Sequence, residues 1–250
     1  MTNNFALYST YYDLLYKDKN YQAETDYINN LIQRHAPGSK SILELGSGTG
    51  KHARILAEKG YTIYGIERSA EMVEIARQVK QKNVEYEVND ISRFSLSHRF
   101  DVALSLFHVV SYLTDNKSLL STFQNVARHL NHNGLFIFDV WYSPAVYFQQ
   151  PETRVKRLDN EQIRIIRLAE PQVHSRENVI DVNYELIIEN KQDHSCSTLT
   201  EKHPMRHFSE PEVGLLAECT GFTLIHSEEF LTGTVPSPQT WGVCFIVQKK

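Results

Sequence analysis

The chain has 250 residues, of which 41% are hydrophobic and 22% are charged, and its formal net charge at pH 7 is −4. This composition is typical of a soluble globular protein and allows one α/β domain with an insertion. No block of lysine or arginine indicates a nucleic-acid partner, and no apolar run is long enough to span a membrane. The N-terminus lacks a signal-peptide pattern, and three separated cysteines indicate reduced thiols. We therefore expect a cytoplasmic protein.

Tyrosines are concentrated before the first strand, at positions 8, 11, 12, 16, 21 and 27. From Tyr21 to Ile32 the apolar residues have helical spacing, and Pro37 and Gly38 end the helix. For any single tyrosine, packing against the edge of a sheet is the simplest interpretation.

The segment 41–50, Ser-Ile-Leu-Glu-Leu-Gly-Ser-Gly-Thr-Gly, joins an apolar strand to three alternating glycines. Glycine permits a tight turn and lets a ligand lie against bare main chain. The helix that follows directs its free N–H groups at that ligand. The next strand, 61–66, ends before Glu67, whose carboxylate is placed to accept ribose hydroxyls. This βαβ unit predicts a nucleoside site.

The identity of the nucleoside depends on two positions. A dinucleotide fingerprint needs glycine or alanine at position 51, where the chain has Lys51. Glu44, inside the strand, suits a ligand with a cationic amine better than a pyrophosphate. A nicotinamide-dependent oxidoreductase or epimerase is therefore the weaker alternative.

The βα alternation continues to residue 140. Ser69 is a good N-cap for a helix from Ala70 to Val79, and a third strand (84–88) precedes Asp90 and Ile91. Considered alone, Asp90 is equally well explained as a turn cap. A nearly all-apolar fourth strand (100–106), a helix (119–130) and a fifth strand (135–140) follow.

Two candidate catalytic residues follow the fourth strand. In an open parallel sheet the ligand crevice lies beyond the carboxyl ends of the strands, so His108 and Tyr112 are expected to point at the reacting atoms. The ordinary pKa range of histidine suits a base near neutral pH. A histidine that packs on the ligand or bonds to the backbone is the alternative for His108. His203 and His207 have i, i+4 spacing, but Pro204 lies between them and argues against a helical metal pair. The other histidines lack ligand spacing, and we predict no metal.

The alternation of strands and helices ends after Trp141. Alternating, β-branched runs at 155–158, 163–168, 179–188 and 197–202 are separated by turn residues, which predicts an inserted antiparallel sheet. Ser209 is then expected to cap a helix from Pro211 to Cys219, followed by strands at 222–230 and 240–248.

The motif E-x-G-x-G-x-G at 44–50 closely resembles motif I of the class I S-adenosylmethionine (SAM) methyltransferases. More narrowly, the chain resembles the N-methyltransferases of nucleotide-linked amino sugars, the TDP-3-amino-sugar N,N-dimethyltransferases. The features that carry this narrower resemblance are Tyr-Asp-x-x-Tyr at 12–16, Asp-x-x-x-Phe at 90–94, Phe107 and the aromatic-Pro turn at 141–144.

The resemblance implies an α/β fold: a Rossmann-like, doubly wound, seven-stranded methyltransferase sheet with an inserted antiparallel β-layer. It divides the chain into an N-terminal helical lid (1–38), a SAM-binding core (39–145), an inserted sheet on the substrate side (146–208) and the last helix and strands of the core (209–250).

The resemblance also implies the site residues. Glu67 would hold the ribose, Asp90 the adenine amine and Ile91 the adenine ring. The cofactor-binding set is Tyr16, Tyr21, Glu44, Gly46, Ser47, Gly48, Gly50, Glu67, Arg68, Met72, Asp90, Ile91, Leu106 and Phe107. His108 and Tyr112 are the catalytic candidates.

The expected reaction is in-line methyl transfer from SAM to a small molecule, most closely to an amino group of a nucleotide-linked sugar. The alternatives are O- or N-methylation of another small metabolite, and a non-catalytic SAM-binding module. The segment 105–108 lacks the D/N-P-P-Y motif, which argues against nucleobase methylation. We expect no nucleic-acid or membrane partner, and a homodimer through the inserted sheet is one hypothesis.

Overall fold

The computed structural model describes residues 14–250, and the tyrosines and aspartate predicted for the lid at positions 8, 11, 12 and 13 lie outside the described residues. In chain order the elements are α1 (Tyr21–His35), β1 (Ser41–Leu45), α2 (Lys51–Glu58), β2 (Thr62–Glu67), α3 (Ala70–Gln78), β3 (Val84–Val88), β4 (Phe100–Ser105), a short 3₁₀ helix (Val109–Tyr112), α4 (Asn116–His129), β5 (Leu130–Tyr142), α5 (Ser143–Gln149), β6 (Arg154–Asp159), β7 (Ile163–His174), β8 (Val179–Asn190), β9 (Cys196–Phe208), α6 (Glu210–Cys219), β10 (Phe222–Glu229) and β11 (Gly242–Lys249).

Side-chain caps fix where several helices begin. Ser69, as expected, accepts a hydrogen bond from the amide of Met72 at the start of α3. Ser209 occupies the N-cap position of α6, but its side chain makes no capping hydrogen bond there. Helix α3 ends at Gln78, so Val79 is the C-cap residue and is 51% exposed. The predicted helix, which ran to Val79, is therefore one residue too long.

The core sheet has the strand order β3-β2-β1-β4-β5-β11-β10, in which β11 runs in the direction opposite to the other six strands. Side chains on β1, β4 and β5, such as those of Leu43, Val102 and Ile137, are completely buried because helices cover both faces. The predicted α/β fold with a seven-stranded sheet is confirmed. The strand order reverses between β1 and β4, and a ligand crevice forms at the carboxyl ends of strands on either side of such a point.

The inserted strands β6 to β9 form an antiparallel sheet, as predicted, but this sheet is joined to the core. Trp141, at the end of β5, pairs with Gly242 of β11 along one edge of the strand. Its pairing with His207 of β9 is therefore along the other edge, the one that pairs with β4. Because β4 stops opposite Phe138, β9 occupies the space beyond it. The inserted sheet therefore begins directly above the carboxyl end of β4.

The predicted aromatic-Pro turn at 141–144 is instead a direct passage from strand to helix. Trp141 and Tyr142 end β5, and helix α5 begins at Ser143, with proline in its first turn. Proline is well tolerated there because the first helical N–H groups have no partner within the helix. Within residues 14–250, none of the helices has the length and apolar character needed to cross a membrane.

Candidate active site

A cavity of about 390 Å³ lies at the carboxyl ends of β1 and β4, below the inserted sheet. Its walls come from the glycine loop after β1, the turn after β4, the segment that precedes α1 and one face of the inserted sheet. The lining residues are Tyr16, Tyr21, Gly46, Ser47, Gly48, Thr49, Lys51, His52, Glu67, Met72, Leu106, Phe107, His108, Val109, Tyr112, Trp141, Arg154, Arg167, Val182, Tyr184, His203, Met205 and Trp241. Eleven of the sixteen predicted site residues are among them. The other five are Glu44, Gly50, Arg68, Asp90 and Ile91.

Two glycines of the loop differ in what surrounds them. A Cβ atom on Gly50 would lie 2.2 Å from the hydroxyl oxygen of Tyr86, so glycine is needed there for packing. A Cβ on Gly48 would meet nothing closer than the sulfur of Met72 at 4.0 Å. Gly48 also has a φ of +54°, in the left-handed region that favours glycine. The open face of the loop at Gly48 is the part that a ligand can contact.

Glu67 connects the end of β2 to this loop. Its Oε2 accepts a hydrogen bond from the Gly48 amide at 3.1 Å, and its Oε1 accepts one from the Ser69 amide at 2.8 Å. Each carboxylate oxygen has a second lone pair, and Glu67 lines the cavity. Glu67 thus orients the loop and can still accept a hydrogen bond from a ligand.

Glu44 lies behind the loop and is only 2% exposed. Burial, and next the charge of Glu67, raises the pKa of Glu44 to about 8. Oε1 of Glu44 is 3.8 Å from Nδ1 of His52, whose Nε2 is 2.7 Å from Oε2 of Glu24. His52 does line the cavity, so Glu44 faces a ligand only through this histidine.

Asp90 forms a turn in this structure. Its Oδ1 accepts hydrogen bonds from the amide and the hydroxyl of Ser92, at 2.8 and 2.6 Å. Burial alone would raise the pKa of Asp90, but the bonds from Ser92 hold it below its usual value. The turn-cap interpretation therefore describes the contacts of Asp90, and its role toward adenine stays a prediction.

Aromatic and cationic side chains around the start of α1 cover the cavity. The ring of Tyr16 meets that of Phe107 edge-on, with centroids 5.0 Å apart, and the ring of Tyr21 lies 4.9 Å from that of His52. Nζ of Lys19 is 4.0 Å from the centroid of Phe107. These contacts close the side of the cavity next to the glycine loop.

The turn after β4 brings His108 against a buried carboxylate. Phe107 and His108 have φ values of +66° and +61°, a left-handed conformation that costs non-glycine residues about 1–2 kcal/mol each. In return, the His108 amide donates to Oδ2 of Asp139 at 3.2 Å, and its Nδ1 lies 2.8 Å from the same oxygen. Asp139, near the end of β5, is 1% exposed.

This pair determines which nitrogen of His108 can act. Burial by itself would raise the pKa of Asp139, but His108 holds it below its usual value, so Asp139 is a carboxylate. The 2.8 Å ion-pair contact with this carboxylate, which can only accept, favours the tautomer with hydrogen on Nδ1. Nε2 keeps its lone pair and can take a proton from another group. Asp139 was not among the predicted site residues.

Twelve other lining residues were also missed, and half of them lie on the inserted sheet. Val182 pairs with His203 across β8 and β9, and Tyr184 and Met205 follow on the same face. The alternation predicts which residues share a face but not which face meets the cavity. The rings of Trp141 and Trp241, which also line the cavity, are 5.6 Å apart.

Comparison with known proteins identifies the class. Residues 42–134, less than half of the chain, match the family described as "Methyltransferase domain". Residues 42–134 therefore form a methyltransferase domain within the Rossmann-like sheet, as the resemblance to the class I SAM methyltransferases predicts.

The relatives carry more specific names. The chain is 33% identical over 135 residues to dTDP-3-amino-3,6-dideoxy-alpha-D-glucopyranose N,N-dimethyltransferase of Streptomyces fradiae, covering 53% of this chain and 52% of that protein. It is 26% identical over 205 residues to dTDP-4-amino-2,3,4,6-tetradeoxy-D-glucose N,N-dimethyltransferase of Saccharopolyspora spinosa, covering 81% of this chain and 76% of that one. The solved sugar N-methyltransferase KedS8 from Streptoalloteichus superposes with a TM-score of 0.81 at 22% identity, covering 96% of this chain and 92% of that chain.

The match spans about half the length of the Streptomyces relative. The likeness to the solved structure shows the fold alone.

Proposed function

We propose that this protein transfers a methyl group from SAM to an amino group of a small molecule, and that the acceptor is a nucleotide-linked amino sugar. The observation that carries the proposal is one cavity lined both by the open glycine loop and by His108, which Asp139 orients. The names of the two relatives, both N,N-dimethyltransferases of dTDP-amino sugars, support the acceptor class. Arg154 and Arg167 give the inserted side of the cavity a positive charge suited to a nucleotide's phosphates.

When bound, SAM supplies an electrophilic methyl group on a sulfonium. The open face at Gly48 and the carboxylate of Glu67 fit the nucleoside end of such a cofactor. Tyr16, Tyr21 and Phe107 would exclude water from the reacting atoms. Such enclosure holds nucleophile and methyl group in line, which is the main requirement of the displacement.

An amine that arrives as an ammonium ion must lose a proton before it can attack. We assign this step to Nε2 of His108, and Asp139 would stabilise the imidazolium that forms. The nitrogen of the acceptor keeps the electron pair and forms the new bond to carbon.

The remaining assignments are proposals of the same kind. The residues we assign to direct cofactor contact are Tyr16, Tyr21, Gly46, Ser47, Gly48, Glu67, Met72, Leu106 and Phe107. Glu44, Gly50, Arg68, Asp90 and Ile91 would act from behind the cavity wall. The division at residues 38, 145 and 208, the cytoplasmic location, the absence of a metal and the homodimer all stay predictions.

The test is a reaction panel. The protein is incubated with SAM and with dTDP-amino sugars, their hydroxyl analogues and other small amines, and the products are identified by mass spectrometry. We expect S-adenosylhomocysteine to form together with N-methylated sugar nucleotides. Methylation of the hydroxyl analogues alone would support O-methylation, and SAM binding without any product would support a non-catalytic module.

Alanine at position 48 should separate cofactor binding from backbone strain. The added methyl group would occupy the open face of the loop, so we expect Gly48→Ala to weaken SAM binding at least tenfold in calorimetry. Gly60→Ala is the matched control, because Gly60 also has a positive φ (+97°) and a Cβ there meets nothing within 4 Å. Both variants should lose about 1–2 kcal/mol of stability. Equal SAM affinity in the two variants would show that the ligand does not contact Gly48.

A further inference from the structure

A second chain of hydrogen bonds reaches the same cavity from the inserted sheet. The hydroxyl oxygen of Tyr112 is 2.7 Å from Nδ1 of His203, and Nε2 of His203 is 2.8 Å from Oε2 of Glu201. Tyr112 and His203 both line the cavity, while Glu201 lies behind them and is 5% exposed. The mechanism based on His108 leaves this chain without a role.

The chemistry of the three groups fixes the direction of these bonds. A carboxylate accepts only, so Nε2 of His203 carries the hydrogen that it shares with Glu201. Nδ1 of His203 then has a lone pair and accepts the hydroxyl hydrogen of Tyr112. A hydroxyl oxygen has two acceptor lone pairs, so the oxygen of Tyr112 can also accept a hydrogen bond from a group in the cavity. The arrangement has the order of a nucleophile–histidine–carboxylate triad, with a phenol at the cavity end.

We propose that Tyr112, His203 and Glu201 form a second proton-accepting chain for the acceptor amine, and this inference rests on the proposed methyl transfer to nitrogen. An ammonium proton passes to the oxygen of Tyr112 as the hydroxyl proton of Tyr112 passes to Nδ1 of His203. The amine keeps the electron pair that attacks the methyl group. His203 becomes an imidazolium that Glu201 stabilises, and it returns its proton through Tyr112 to water after the product leaves.

The groups around Tyr112 favour transfer of a proton through its hydroxyl group and disfavour a lasting loss of the hydroxyl proton. Burial raises the pKa of Tyr112, and Tyr16 and Tyr184 raise it further, so the phenol stays protonated between turnovers. The charged groups that act on it are Glu201 and Arg68. Arg167 lies over the ring of Tyr184 at 5.1 Å, and that ring is 5.0 Å from His203.

The first variant is Glu201→Gln, which keeps the size of the side chain. The glutamine amide would donate to Nε2 of His203, so Nδ1 would carry the hydrogen and donate to Tyr112, and the chain could no longer take a proton. Because His108 remains, we expect kcat to fall about tenfold near neutral pH, less than the full effect of a general base. The loss should shrink as pH rises above the pKa of the amine, since a free amine needs no base. Tyr112→Phe should show the same pH-dependent loss.

The matched control is Glu185→Gln. Tyr184 pairs with Glu201, so Glu185 lies on the opposite face of the inserted sheet, away from the cavity. It should keep the wild-type pH profile. A purely structural role for Glu201 would instead lower kcat by the same factor at every pH, and that result would overturn the proposal.

Nitrogen NMR of the histidine side chains gives a readout that does not depend on turnover. In the wild-type protein His203 should be the neutral tautomer with hydrogen on Nε2, and Glu201→Gln should reverse it. Hydrogen on Nδ1 of His203 in the wild-type protein would refute the chain even if the enzyme is active. If no amine is methylated at all, the proposed function fails, and the tautomer still decides whether the chain exists.

Discussion

Replacing His108 by glutamine is expected to lower kcat for methylation of an amine by about two to four orders of magnitude near neutral pH. Glutamine fills similar space but cannot accept a proton from an ammonium ion. Because His108 would act only on the acceptor, the dissociation constant of SAM should be unchanged. The measurement is the initial rate of S-adenosylhomocysteine formation at saturating substrates, together with calorimetric titration of SAM.

Asp139→Asn tests the pair formed by His108 and Asp139 by changing its buried member. The asparagine amide can donate to Nδ1 of His108, which moves the histidine hydrogen to Nε2 and removes the lone pair that the reaction needs. The loss of kcat should approach that of the His108 variant. His132→Gln, at an exposed position outside the cavity, is the control. If His108→Gln weakens SAM binding in proportion to kcat, His108 packs on the cofactor and is not the base.

The parts of this fold that could be predicted are those specified by local patterns. The glycines of the loop after β1 and the apolar strands on either side reflect backbone and burial requirements within a few neighbouring residues, and the βα order follows from them. The inserted strands were also recognised from alternation, although β7 and β9 are longer than predicted. Pairing between β5 and β9 joins residues such as Trp141 and His207, which are far apart in sequence, and no local pattern reports such a contact.

The same limit applies to the candidate site. Residues at the ends of core strands, such as Glu67 and His108, were predictable because all parallel strands end at one edge of the sheet. His203 and Tyr184 come from an antiparallel sheet, where alternation leaves open which face is covered. Asp139 lies within the predicted fifth strand (135–140), but only its contact with His108 reveals a chemical role.

Glu44→Gln is expected to stabilise the ligand-free protein at neutral and alkaline pH. The pKa of Glu44 is about 8 in the folded protein, against an ordinary value of 4.5. Its contribution to stability is therefore fully present below pH 4.5 and is lost as pH rises through about 8, because the unfolded chain releases the proton first. At about 1.4 kcal/mol per pH unit, the wild-type protein has lost roughly 3 kcal/mol at pH 7. Glutamine does not ionise and avoids this loss.

In thermal unfolding without SAM, the unfolding temperatures of the wild-type protein and of Glu44→Gln should diverge as pH rises from 4.5 to 8. The variant should be the more stable protein at the upper end of this range. Glu85→Gln, at an exposed position on β3, should follow the wild-type protein throughout. Parallel curves for Glu44→Gln and wild type would mean that Glu44 ionises normally despite its burial.

The carboxyl group of Glu44 also provides a test of how SAM is bound. A cationic amine near His52 would favour the ionised form of Glu44, so SAM binding to the wild-type protein should release a proton and become tighter as pH rises toward 8. Glu44→Gln should abolish both effects, and its SAM affinity should change little with pH in this range. Calorimetry in buffers of different ionisation enthalpy measures the released proton directly. A wild-type protein that binds SAM without proton release would separate Glu44 from the cofactor and leave it as a destabilising buried acid.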